Sequence, residues 1–344
     1  MLQIKIYGMV SCFYLLMCSA PSNTKKEVVK QTKINGIAMV GSSKPLDKTD
    51  FAPIVQLHAN TVCLLPFAFV RNNQPTIYFN NQRQWWGEKT NGVATCIELA
   101  HKQGLQVIVK PQLWMGGGTY TGYINFDSEE KWKLFEESYT NYILSFAKVA
   151  DSLDAAFFCI GNELHNFVIK RPNYWKKLID TVRKITKAKL TYADNWDTYK
   201  TFPYWKELDI IGINAYFPVS DEQTPSVLTM QKNWKPYFTN MKQMADSCNK
   251  QIAFTEFGYR SIDYAAKTPW DSYTNFPENK QAQVNAYKAL FSVFWNEPWF
   301  AGGFAWKWFD KHTHPDVDIK IDYSFQGKDA ESVLMDQYKK SFLK

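Results

Sequence analysis

The sequence predicts an α/β fold, a single (β/α)8 TIM barrel domain, on three observations. From Ile34 onward, short apolar runs alternate with helical patterns. The runs number eight, and strict alternation implies a parallel sheet that eight strands can close into a barrel. Several runs are apolar throughout, as strands covered on both faces are. A doubly wound open sheet is the rival arrangement. It calls for a glycine-rich phosphate loop after the first strand, and Val40-Gly41-Ser42-Ser43 is not one.

In chain order the strand runs are Ile34–Gly41, Asn60–Val70, Gln106–Met115, Ala155–Leu164, Leu190–Trp196, Asp209–Phe217, Gln251–Tyr259 and Phe300–Phe309. Helical patterns cover Ser128–Leu153, Asn173–Thr186, Val227–Asn249, Glu278–Asn296 and Glu331–Phe342. The first of these opens Ser128-Glu129-Glu130, a capped N-terminus. The reading counts eight β-then-α units in one domain, 34–344, with no internal repeat and no second domain.

The segment ahead of it reads as a targeting sequence. Lys5 precedes an apolar run from Ile6 to Met17, too short to span a bilayer. Leu15-Leu16-Met17-Cys18 resembles a bacterial lipobox, apart from Met17, which replaces the usual small residue. Residues 1–18 are therefore expected to be a signal peptide and 19–33 a polar linker. A lipidated Cys18 would tether a secreted or cell-surface lipoprotein to a bacterial envelope. Ordinary cleavage after Ala20 is the other reading, and Pro21 disfavours it.

Composition narrows the function classes. Net charge is +7, from scattered basic residues without a long run or a nucleic-acid motif, so it reads as a solvated surface and nucleic acid is not an expected partner. Aromatic residues make up 16% of the chain, a share that suits either a large core or stacking against sugar faces. Of the cysteines after Cys18, Cys63 and Cys159 sit inside apolar runs, as buried thiols do, and no CxxC pair suggests zinc. His312 and His314 share one loop and are read as polar surface rather than as a metal site. No cofactor motif is visible, and the chain is expected to act as a monomer.

In such a barrel, chemistry sits at the C-terminal strand ends. The fourth run ends Gly161-Asn162-Glu163-Leu164 and the seventh ends Thr255-Glu256-Phe257-Gly258. A carboxylate inside an apolar strand is costly unless paired or functional. Positions 163 and 256 lie 93 residues apart, three units of about 31, which puts both at one level of the mouth. Paired carboxylates across a cleft are the apparatus of glycoside hydrolysis.

These motifs, with Thr255-Glu256-Phe257-Gly258-Tyr259-Arg260-Ser261 and Gly302-Gly303-Phe304-Ala305-Trp306-Lys307-Trp308, resemble the clan A glycoside hydrolases, and within them glycoside hydrolase family 113. The resemblance runs from about Gly36 to Asp310. It implies a retaining endo-β-1,4-mannanase with Glu163 as acid/base and Glu256 as nucleophile. It further implies that Tyr216 hydrogen-bonds the nucleophile, that Asn162 holds the sugar 2-hydroxyl, and that Trp306 lies under the sugar while Trp308 faces away.

Other strand-end residues are open to two readings each. Trp114 and Trp196 line neighbouring subsites or pack in the core. Lys110 and Asn195 bind sugar hydroxyls or pair with carboxylates. His165 follows Glu163 closely enough to edge the leaving-group side. Trp85-Trp86, in the long connection after the second run, forms a cleft wall or anchors the loop. Another β-glycanase or exo-glycosidase of the clan, a non-catalytic glycan-binding lipoprotein, and a partner-binding surface protein are the competing readings of the whole.

Overall fold

The computed structural model describes residues 33–72, 74–313 and 318–342. The targeting segment with Cys18, the linker up to Thr32, and His314 lie outside them.

Eight parallel strands close the barrel. They are β1 (Ile34–Met39), β2 (Thr61–Leu64), β5 (Gln106–Val109), β7 (Phe157–Asn162), β8 (Lys189–Asn195), β9 (Ile211–Asn214), β10 (Ile252–Phe257) and β11 (Phe300–Trp308), with β11 pairing back onto β1. Around them lie α1 (Ala52–Gln56), α2 (Thr90–Lys102), α3 (Glu129–Ser152), α4 (His165–Lys170), α5 (Pro172–Ile185), α6 (Val227–Cys248), α7 (Lys280–Phe294) and α8 (Asp329–Phe342). Ser128 caps α3 by accepting a bond from the Lys131 amide, and Asn249 ends α6 in the left-handed conformation.

Strand alternation sorts the core into two clusters. Ala38, Cys63, Ile108, Cys159, Ala193, Ala253 and Phe304 belong to a small inner cluster. Ile37, Val62, Phe158, Leu190, Ile213 and Phe254 pack with the helices in a much larger outer one. Phe67 and Trp306 rest on the inner cluster, whereas Trp308 belongs to the outer one, facing away from Trp306. All four cysteines within the described residues are free thiols, three of them buried. Among the described residues no helix is long and apolar enough to cross a membrane.

The structure corrects two readings. The second and third apolar runs are not single strands. Each breaks at a proline and continues as a separate strand, β3 (Phe67–Val70) after Pro66 and β6 (Gln112–Met115) after Pro111. Both prolines lack the amide hydrogen that would pair with the next barrel strand. The two segments stay bonded to each other, with the Gln112 amide donating to the Pro66 carbonyl at 3.0 Å, but leave β1 and β7. With β4 (Ile77–Tyr78) they form a second sheet in the order β4-β3-β6.

The second correction concerns the count of β-then-α units. No α-helix separates β8 from β9. Two 3-10 turns, Tyr199–Thr201 and Trp205–Glu207, stand there, with Pro203 between them. Aromatic packing replaces the missing helix: Phe202 stacks on Tyr192 at 4.3 Å, and Trp205 meets the same ring edge-on.

Candidate active site

Glu163 stands just beyond β7 and Glu256 lies on β10, both at the C-terminal end of the barrel. Glu163 has φ of +53°, in the left-handed region that non-glycine residues rarely occupy. Hydrogen bonds on both sides hold it there. Its amide donates to the Ala193 carbonyl at 2.8 Å, its carbonyl accepts from Thr121 Oγ1 at 3.2 Å, and the next amide, of Leu164, donates to the Tyr192 hydroxyl at 2.6 Å. Strain maintained by its surroundings is a mark of functional positions.

The two carboxylates have opposite environments. Glu256 is buried and meets only donors: Lys110 Nζ at 2.5 Å and Gln112 Nε2 at 2.8 Å on Oε1, and the Tyr216 hydroxyl at 2.9 Å on Oε2. Three donors, one of them a cation, suit an ionised group. Glu163 receives one side-chain hydrogen bond, from Asn214 Nδ2 at 2.7 Å. Loss of water around its carboxyl and the negative charge of Glu256 raise it to about 7, against the opposing pull of that bond. Asp194, itself pushed up to about 7 by burial, adds to the effect.

Asn214, at the end of β9, joins the two groups. Its Nδ2 donates to Glu163 and to Asn162 Oδ1 at 2.9 Å, while its Oδ1 accepts from Lys110 Nζ at 3.2 Å and Thr255 Oγ1 at 2.9 Å. Two donors and two acceptor sites are all an amide offers, so its orientation is fixed.

The other predicted positions divide. Asn162, Tyr216 and Lys110 join this network. Lys110 is fully buried and bonded to Glu256, so of its two readings the structure has the carboxylate pair and not the sugar contact. Trp306 is part-exposed above the barrel interior. A Cβ added at Gly258 would lie 2.5 Å from the Trp306 carbonyl oxygen, so only glycine allows the two strand ends to approach this closely.

Trp196 packs between Phe217 and Trp270, stacking on Trp270 at 4.9 Å. Asn195 donates to Asp197 at 3.0 Å, which is the carboxylate alternative for that residue too. His165 opens α4, part-exposed. Trp114 lies on β6, outside the network and 49% exposed. Of the tryptophan pair, Trp85 is exposed and Trp86 packs on the outer core. Among the described residues no group of three or more His, Cys, Asp or Glu side chains could hold a metal ion.

Sequence reasoning missed Gln112, Asn214, Asp194 and Trp270. Asp194 and Asn214 sit at the ends of β8 and β9 beside named candidates, so the rule that polar residues ending apolar runs face the mouth could have found them; Gln112 lies inside its run and gives no such signal. Trp270 lies in the loop after β10, where no periodicity marks it.

The family model of Glycoside Hydrolase Family 113 matches residues 43–328. Among solved structures, the GH113 β-mannanase AaManA from Alicyclobacillus acidocaldarius, in complex with ManMIm, superposes with a TM-score of 0.78 at 24% identity, over 90% of this chain and 98% of that one. A complex of a GH113 β-1,4-mannanase superposes at 0.77 with 23% identity, over 90% and 99%. A β-glucuronidase from Ruminococcus gnavus is more distant, at 0.61 and 15%, over 89% of this chain and 50% of that one. At these identities the likenesses speak for the barrel fold alone. No curated protein sequence matches the chain.

Proposed function

The chain belongs to glycoside hydrolase family 113 and is a glycoside hydrolase, and on that premise we propose that it cleaves β-1,4-linked mannan or manno-oligosaccharides with retention of configuration. The observation that carries the reading is the divided environment of one carboxylate pair. Glu256 is surrounded by donors, and Glu163, linked to it through Asn214 and then Lys110, holds its proton up to about pH 7. The two solved GH113 structures, a β-mannanase and a β-1,4-mannanase, support the choice of sugar.

In the first step Glu256 attacks the anomeric carbon. Its Oε1 is tied by two donors, so Oε2, with Tyr216 alone, is the attacking oxygen. The glycosidic C–O bond breaks, and Glu163 gives its proton to the departing oxygen. Glycosylation removes the charge of Glu256, and with it one cause of the high Glu163 pKa. With that cause gone its pKa falls, so Glu163 stays ionised and is available as the general base. It takes a proton from water, the water oxygen bonds to the anomeric carbon, and Glu256 leaves as a carboxylate. Asn162 has its Oδ1 occupied by Asn214, which leaves its amide hydrogens for the sugar 2-hydroxyl. Trp306 is the platform beneath the ring.

The test is product analysis on defined manno-, cello- and xylo-oligosaccharides, with NMR reading the first anomer formed. The expected result is cleavage of the manno series with the β-anomer appearing first. The α-anomer appearing first would remove retention, and cleavage confined to the gluco or xylo series would remove mannan.

We also propose that the enzyme is exported and tethered at a bacterial cell surface through lipidated Cys18. Cys18→Ala should release it from membranes or block its processing. Unchanged membrane association would end that reading.

A further inference from the structure

The second sheet has one covered face and one open face. Ala68, Val70, Ile77 and Leu113 are buried in the outer core. Phe67, Phe69, Tyr78, Gln112 and Trp114 occupy the alternate positions, and register aligns them: Phe67 with Gln112, Phe69 with both Trp114 and Tyr78. The row begins at the reacting groups, because Phe67, like Trp306, rests on the inner cluster and Gln112 bonds Glu256. Two residues further along the same face, about 7 Å at the rise of a strand, stands the exposed ring of Trp114. Phe69 meets it edge-on at 6.0 Å. Beside this shelf lies a cavity of about 620 Å³.

Two arginines are among the residues that line that cavity, Arg71 and Arg83. Arg71 lies over the Tyr78 ring at 5.2 Å, which positions it at the shelf's outer end. Neither arginine forms an ion pair among the described residues. An aromatic platform offers stacking to a sugar ring, and two unpaired planar forks beside it offer bidentate bonds to a carboxylate. We propose that this shelf is a subsite for an acidic sugar residue, a uronate. Its ring lies on Trp114 and its carboxylate meets Arg71 and Arg83, while the neutral part of the chain occupies the barrel mouth. The proposal rests on the glycoside hydrolase reading and adds an anionic class of substrate to it.

The test titrates the full chain carrying Glu256→Gln with a β-mannan oligosaccharide bearing glucuronosyl residues, and with the same oligosaccharide after reduction of its carboxyl groups. The acidic form should bind about tenfold more tightly at low salt, the size of one charged hydrogen bond, and the advantage should shrink at high salt. Arg71→Gln with Arg83→Gln should bring the two affinities within about twofold of each other, and the corresponding lysine substitutions should restore part of the difference. Trp114→Ala should weaken both forms alike. Equal affinities in the parent, binding of neither form, or a ratio that survives the double glutamine substitution would overturn the proposal. Failure of the underlying reading shows elsewhere: no turnover of neutral manno-oligosaccharides by the unaltered enzyme, or turnover by Glu256→Gln, strikes the mechanism and leaves the affinity ratio to judge the shelf.

Discussion

Lys110 reaches Glu256 Oε1 at 2.5 Å with its own side chain wholly closed to water. A cation in that position exists only by virtue of its partner. Desolvation, the largest single influence, would otherwise strip its proton; the charge and hydrogen bond of Glu256, with Cys63 and Cys159 beside it, together outweigh that effect, so its pKa is raised. Removing the cation strands a buried carboxylate. Lys110→Met should lower stability by about 3–5 kcal/mol, read by denaturant titration. Adding Glu256→Gln to that variant should recover a large part of the loss. Simple additivity of the two substitutions would show that the pair is not coupled.

Glu163 should set the alkaline limb of activity. With its carboxyl raised to about 7, kcat/KM should fall as pH rises through that region. The limb should vanish on a substrate whose leaving group departs without a proton. Folding stability follows the same linkage. The folded protein keeps this proton where the unfolded chain, with an ordinary value near 4.5, has lost it, so the contribution to stability falls as pH rises between the two. Glu163→Gln should therefore gain in melting temperature relative to the parent from pH 5 to pH 8. A constant difference across that range would place the high pKa elsewhere.

Azide separates the roles of the two carboxylates. Glu256→Ala should lose turnover, and azide entering the gap should give a glycosyl azide of inverted configuration. Glu163→Ala should keep most activity only on activated substrates, and azide should there yield the retained configuration after a normal first step. The opposite pairing of products would exchange the assignments.

Tyr216→Phe removes the one donor on Oε2 of Glu256. Stability should change by only about 1 kcal/mol, because the ring remains packed, whereas kcat should drop by about ten- to a hundredfold if the bond orients the attacking oxygen. Full activity in a folded variant would make Tyr216 a core residue.

Trp306→Ala and Gly258→Ala act on one platform. The first removes the ring, and the second drives a methyl group against the Trp306 carbonyl. Both should lower kcat/KM more than they lower the melting temperature. A variant that melts far earlier yet keeps its activity per folded molecule would make the platform structural.

The barrel was legible because buried parallel strands read as apolar runs, and a glutamate ending such a run is conspicuous. Glu163 and Glu256 could be singled out for that reason. The contacts of Lys110, Gln112 and Asn214 could not, since they depend on side chains converging from strands far apart in the chain. Lys110 illustrates this: a strand-end lysine reads equally as a sugar ligand or an ion-pair partner, and only the cross-barrel distance to Glu256 decides. The missing helix between β8 and β9 was hidden for a different reason. Its place is taken by Phe202 and Trp205 stacking on Tyr192, an arrangement with no periodicity to read.

Pro66 and Pro111 let two strands leave the barrel together, bonded to each other and released from their neighbours. In evolutionary terms they mark a splice site. The ribbon that follows them is not hydrogen-bonded into the barrel, so a change in its length need not disturb the register of the strands below. So long as Gln112 keeps its bond to Glu256, what the enzyme recognises can be retuned without revisiting how it cuts, and a designer who recombines sequences just beyond that residue starts from the same advantage.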